Sequence, residues 1–256
     1  MRIAKFAIAS EARFGLLDGP ELVVFKGHPL FSGYETTGER IALKDVQLLP
    51  PTLPTTKVVC VGKNYLDHAA EMGGEAPAEP LIFLKPNTTL IGHGEAIILP
   101  AISSRVDHEV ELAVVIGDIA RKVSAAEAHK FVWGYTVAND VTARDLQAKD
   151  GQWTRAKGFD TFCPLGPWIE TEFVVEEQVI ESRVDGDLRQ HAKVSEMVHS
   201  VPKIIEHVTA FMTLFPGDVI LTGTPAGIGQ LIAGESVTCS IEGIGELTNP
   251  VIAEAV

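Results

Sequence analysis

From residue 57 to residue 241 the apolar residues of this chain fall into short runs, four to seven residues long, closed by Gly, Pro, Asn or Asp. Runs so bounded predict β-strands over 57–61, 81–85, 110–116, 135–139, 168–171, 219–222 and 236–241. Helical periodicity intervenes less often. Ser124–Phe131 has an N-cap serine with Glu127 at the capping-box spacing, and Val201–Leu214 opens with Pro202 and repeats Ile204, Ile205, Val208, Phe211 and Met212. Strands that do not alternate with helices argue against a doubly wound sheet or an eightfold barrel and predict a β-rich α+β fold. Shorter strands are expected over 3–8, 14–17 and 21–25, separated by turns such as Asp18-Gly19-Pro20. Three prolines in residues 49–54 then make an extended, semi-rigid join. We therefore expect a small N-terminal β-rich unit over 1–51 and a main, catalytic domain over 52–256.

Charge narrows the partners. Lys and Arg number 21 against 34 Asp and Glu, a formal net charge of −13, which repels nucleic-acid phosphates and anionic lipid. No nucleic-acid or membrane partner is expected. Cys60, Cys163 and Cys239 are too few and too scattered for a disulfide framework or a thiolate zinc site. The first apolar run ends at Ser10-Glu11, too short for a signal-peptide core, and no stretch approaches the ~20 apolar residues that span a bilayer. A cytoplasmic protein is expected.

There is no GxGxxG, P-loop, GxSxG or HExxH motif, so any chemistry falls to carboxylates, histidine and lysine. In Asp107–Ile116, strand alternation puts Val110, Leu112, Val114 and Ile116 on one face and Glu109 with Glu111 on the other, Cα atoms about 6.6 Å apart. Two like charges on a stiff element are accounted for by a divalent cation between them, or by an edge strand with a solvated face. Asp140 ends the next apolar strand and would complete a hard, all-oxygen site suited to Mg²⁺ or Mn²⁺; its other reading is a cap on the following turn.

His68 and Glu71 lie three residues apart on a short helical segment stopped by Gly73 and Gly74. They form either a general-base pair, in which the carboxylate sets the imidazole's tautomer, or two surface neighbours. The Gly- and Pro-rich run 73–80 would let this helix move as a lid. Lys157, among small and aromatic residues, either meets a substrate anion or is solvated in a loop. In Leu221–Gly229 the backbone N–H groups and the Thr224 hydroxyl either cradle a carboxylate or oxyanion or make a plain tight turn.

Six segments taken together, GKNYLDHAAEMG (62–73), FLKP (83–86), DHEVELAVVIG (107–117), NDVTARDLQ (139–147), KGFDTFCPLGPW (157–168) and TGTPAGIG (222–229), closely resemble the fumarylacetoacetate hydrolase family in sequence and order. The resemblance implies a mixed β-roll, usually homodimeric. It also implies a metal triad of Glu109, Glu111 and Asp140, a water-activating His68–Glu71 dyad on a lid, and substrate contacts from Lys157, Arg144, Gln147 and Thr224. Lys63 departs from the arginine of many members. The activity so implied acts on a small 2-oxo acid with Mg²⁺ or Mn²⁺, cleaving the C3–C4 bond of an acylpyruvate to pyruvate and a carboxylic acid through a metal-held enolate. The alternatives are oxaloacetate decarboxylation, 2-hydroxyhepta-2,4-diene-1,7-dioate isomerisation, oxaloacetate tautomerisation, or an inactive binding protein that keeps only the fold.

Overall fold

Val110–Ile116 is buried along its whole length and runs between Val132–Asn139 and Val219–Leu221, antiparallel to both. The computed structural model describes residues 1–9 and 11–255; Ser10, which closes the first apolar run, lies outside the described residues. From this central strand the main sheet extends one way through Val219–Leu221 and Val58–Gly62 to the edge strand Leu81–Lys85. The other way it passes Val132–Asn139 and Cys163–Glu170 to the strands of the first 42 residues. Arg2–Ile8 pairs with Cys163–Glu170, Arg2 lying opposite Glu170, so the N-terminal strands continue the same sheet. Most pairings are antiparallel, but Val58–Gly62 runs parallel to Val219–Leu221, which makes the sheet mixed.

A second, five-stranded sheet of Asp187–Lys193, Val179–Val184, Ser236–Ile241, Gly245–Ala253 and Ile97–Leu99 packs on one face of the main sheet. There Leu112, Val114 and Ile116 meet Ile180, Val237 and Ile241. The helix Val201–Phe211 turns Val201, Ile204, Ile205 and Val208 into the same core, the i, i+3, i+4, i+7 spacing of one helix face. Burying each such side chain is worth about 1.5–3 kcal/mol. The opposite face carries Ala113 against Cys60, Ala138, Leu165 and Leu221. The β-rich fold expected from the sequence is the one observed, and a strand forms at each expected run.

Other expectations need correction. The 124–131 segment is a 3₁₀ helix without a serine side-chain cap: the Glu127 N–H that a capping box would give the Ser124 hydroxyl goes to the Ser124 carbonyl at 3.0 Å, and Glu206 of the Val201–Phe211 helix accepts the Ala125 N–H at 3.0 Å. The long helix stops at Phe211, since Leu214 leaves it to pair with Ala120. The hairpin 179–193 and the strand Gly245–Ala253 were not expected. The Asp187–Lys193 half has only Leu188 and Ala192 as apolar residues, too few for strand alternation to show, and Pro250 interrupts the other pattern.

Candidate active site

The central register explains why three carboxylates converge. Val110 lies opposite Asn139 and Glu111 opposite Ala138, so the start of one strand meets the end of the other. Glu109 precedes the first, Asp140 follows the second, and the Asp140 N–H donates to the Glu109 carbonyl at 2.8 Å. One carboxylate oxygen from each of Glu109, Glu111 and Asp140 then falls within 4.8 Å of the others, all three residues buried. This strand is central and dry, which removes the solvated-edge reading.

Cations surround two of the three acids. Lys157 Nζ lies 2.7 Å from Glu109 Oε2 and 2.5 Å from Asp140 Oδ2, and Lys85 Nζ lies 2.6 Å from Asp140 Oδ1. Arg144 pairs with Glu109 and, at 2.9 Å, with Asp107. Burial alone would raise the Glu109 carboxyl, but the charges of Lys157 and Arg144 hold it well below the usual range. Burial would lower the Lys157 ammonium, but Asp140 and Glu109 drive it above the ordinary lysine value. The solvated-loop reading of Lys157 and the turn-cap reading of Asp140 both give way, since these side chains are buried against each other.

Glu111 is placed differently. It receives a 2.6 Å hydrogen bond from the Gly223 N–H, whereas burial and the facing charges of Asp140 and Glu109 push its carboxyl well above the usual range. A buried carboxylate repelled by two others fits a divalent cation, and an all-oxygen donor set selects a hard one. Oxygens engaged by Lys157 or Arg144 keep a second lone pair for such an ion. The residues present therefore fit the metal that the family resemblance implies.

His68, 5% exposed, faces this cluster from the helix Leu66–Glu71, its Nδ1 3.1 Å from Glu71 Oε2. That burial removes the surface-neighbour reading. Asn64 anchors the start of the helix by donating to the carbonyls of Thr222 and His199 at 2.7 and 3.0 Å. The Gly-rich loop does cradle carboxylates, but they are not a ligand's. Its Gly223 and Gly227 N–H groups cradle the protein's own carboxylates, Glu111 at 2.6 Å and Glu71 at 3.1 Å. Gly223, at φ +102°, has no room for a Cβ, which would lie 2.6 Å from that of Asn64.

His68, Glu109, Glu111, Asp140, Arg144, Gln147, Lys157 and Thr224 line one cavity, with Glu71 at its mouth beside Lys63 and Arg105. Arg144 also donates to Gln147 at 2.6 Å. Sequence reasoning missed Lys85 as a site residue. The signal was a lysine closing an otherwise apolar strand, which reads equally as a solvated strand end.

Fold and site define a class: a mixed β-roll whose central strand ends present three buried carboxylates able to hold a divalent ion, next to a histidine–glutamate pair and a lysine. The family model described as fumarylacetoacetate (FAA) hydrolase C-terminal matches residues 57–252, and one described as Rv2993c-like, N-terminal matches residues 1–51. The chain belongs to the fumarylacetoacetate hydrolase family. It is 51% identical to protein Rv2993c of Mycobacterium tuberculosis over 98% of both chains. It is 41% identical to the oxaloacetate tautomerase YisK of Bacillus subtilis over 82% of this chain and 74% of that one. Among solved structures, a 2-hydroxyhepta-2,4-diene-1,7-dioate isomerase from Mycobacterium marinum superposes with a TM-score of 0.91 at 47% identity, covering 100% of both chains. A maleylpyruvate hydrolase from Sphingobium sp. SYK-6, in complex with manganese(II) and pyruvate, gives 0.84 at 30%, again over 100% of both.

Proposed function

We propose that this protein catalyses a proton shift in a 2-oxo dicarboxylic acid, the keto–enol tautomerisation of oxaloacetate, with Mg²⁺ or Mn²⁺. The observation that carries the reading is the meeting of the carboxylate cluster, Lys157 and the His68–Glu71 pair in one cavity. The higher identity to a tautomerase and an isomerase than to a hydrolase supports proton transfer over C–C cleavage. The acylpyruvate hydrolysis expected from the sequence thus becomes the second reading, supported by the His68–Glu71 pair, which is equally suited to activating water.

Glu109, Glu111 and Asp140 would hold the ion, which when bound supplies Lewis-acid stabilisation of an enolate's charge. Lys63, Arg105 and Arg144 at the mouth of a chain with net charge −13 draw in a dianion. Arg144 and Gln147 orient a carboxylate, and Thr224 donates a hydrogen bond to it. In ketonisation the C2 hydroxyl gives its proton to solvent water and C3 receives one from protonated His68, which water then re-protonates. His68, its tautomer set by Glu71, exchanges the proton at C3. Lys157 keeps its proton and offsets negative charge at the C2 oxygen.

The same reading takes residues 1–51 as a small unit added onto the edge of the catalytic domain's sheet, and a homodimer in the cytoplasm. Exposed Leu81 and Leu84 on the edge strand support a covered edge. Among the described residues no helix is long and apolar enough to cross a membrane.

The test follows enol-oxaloacetate by its ultraviolet absorbance with Mg²⁺ and with EDTA, while pyruvate release from oxaloacetate and from acetylpyruvate is measured in parallel. Metal-dependent loss of the enol without pyruvate is expected. Pyruvate from acetylpyruvate would restore the hydrolase reading, and pyruvate from oxaloacetate alone would make the protein a decarboxylase.

A further inference from the structure

The strand Asp187–Lys193 is largely exposed except at Gln190, which is fully buried. A buried amide is costly unless its hydrogen-bonding capacity is met, and here it is met on both sides. Gln190 Oε1 accepts from the Val110 N–H and from Ser182 Oγ, each at 3.0 Å, and lies 3.1 Å from His108 Nδ1. Its Nε2 donates to Thr224 Oγ1 and to the Pro225 carbonyl, each at 2.7 Å.

Chemistry fixes which way this amide points. The Val110 N–H can only donate and the Pro225 carbonyl can only accept, so Oε1 must face the first and Nε2 the second. Thr224 Oγ1 is therefore an acceptor toward Gln190, and its hydroxyl proton is free for another partner. Thr224 is 2% exposed and lines the cavity of Glu111, His68 and Lys157. Among the described residues no protein acceptor takes that proton.

The loop is also held at close range. Gly227 sits at φ +97°, where a Cβ would lie 2.2 Å from the Arg189 carbonyl oxygen. The loop backbone thus rests directly on the Gln190 strand, and the amide has one place to reach.

We propose that Gln190 is a positioning residue, one that sets the Thr224 hydroxyl as a hydrogen-bond donor into the active site, aimed at a carboxylate or enolate oxygen of the substrate. This rests on the 2-oxo acid reading above. One neutral side chain outside the cavity thereby decides the polarity of one inside it.

The test is a double-mutant cycle in the full-length, Mn²⁺-loaded protein. Gln190→Glu, whose carboxyl must also face the Pro225 carbonyl, no longer obliges Thr224 Oγ1 to accept, so the hydroxyl proton is no longer held toward the cavity. Oxalate is the probe, a planar dianion that mimics an enolate. Its dissociation constant and kcat and KM for oxaloacetate are measured for wild type, Q190E, T224V, T224S and the Q190E/T224V double variant, with Mn²⁺ affinity followed by electron paramagnetic resonance. Q190E and T224V are each expected to weaken oxalate binding roughly tenfold or more. The double variant should be no worse than T224V, T224S should recover most of the loss, and Mn²⁺ affinity should stay within about twofold. If Q190E does not fold, Gln190→Met, which leaves Thr224 unoriented, takes its place in the cycle. Additive losses in the double variant, unchanged oxalate binding in Q190E, or Mn²⁺ affinity falling in step with oxalate would overturn the proposal alone. A wild type that neither binds oxalate nor turns over oxaloacetate would overturn the functional reading and this inference with it.

Discussion

At the N-terminal edge of the main sheet Arg40 reaches Asp18 and Glu21 at 2.7 and 3.0 Å, and Arg13 reaches Glu39, every one of these side chains at least a quarter exposed. At its centre Asp140 is met by Lys157 at 2.5 Å and by Lys85, reaching in from the opposite edge strand, at 2.6 Å, with side-chain exposures of 1%, 3% and 0%. The distances match and the surroundings do not. At the edge, water replaces a lost partner and salt screens the pair, so each contributes little. At the centre, removing one partner leaves an uncompensated charge in a dry site. Ion pairs at the edge decorate the sheet, whereas those at the centre are obligatory to each other.

Lys85→Met puts the largest strain on this distinction. It leaves Asp140 with Lys157 alone and is expected to cost about 3 kcal/mol or more in urea unfolding, while Arg40→Gln leaves the unfolding midpoint unchanged within error. Equal effects would erase the distinction. Glu111→Gln sharpens it from the other side, because among the described residues no cation pairs with Glu111. In EDTA this variant should melt no lower than wild type. With Mn²⁺ at a hundredfold excess over its dissociation constant the wild type should gain about 2.7 kcal/mol, and the variant none. A Mn²⁺-dependent gain in the variant would remove Glu111 from the ion's ligands.

The smallest effect belongs to Asp145, half-buried at the start of the Arg144–Asp150 helix. That burial would raise its carboxyl, but hydrogen bonds from Ser103 Oγ at 2.6 Å and from Ser104 N and Oγ at 3.0 and 3.1 Å bring it down to about 2. A folded value below the unfolded one stabilises the protein above about pH 4, and that contribution is lost as the pH falls toward 2. A Ser103→Ala/Ser104→Ala variant should move the Asp145 titration, followed by NMR, back toward 3.8 and flatten the acid limb of the stability curve.

Legibility from sequence follows the same divide. Glu109, Glu111 and Asp140 could be found because charges next to apolar strand residues break a pattern, and His68 with Glu71 because helical spacing pairs them. Lys85 could not, since a terminal lysine has the same signature in water or in a core. Gln190 could not either: DLRQHAK shows no alternation from which to read one buried position. The capping box at Ser124 failed because the segment winds as a 3₁₀ helix, in which the Ser124 carbonyl rather than its hydroxyl takes the Glu127 N–H.

The parallel pairing of Val58–Gly62 with Val219–Leu221 joins chain segments made far apart in time during synthesis. Lys157, Glu109 and Asp140 can be translated, and their strands begun, while the segment that brings Thr224 and Gly223 against them does not yet exist. A nascent chain must carry its three like-charged acids through that interval without the cover they need. Such long-range closure is slow and leaves partly built sheets open to association. The net charge of −13, against which any anionic ligand must approach the finished molecule, also keeps unfinished copies apart.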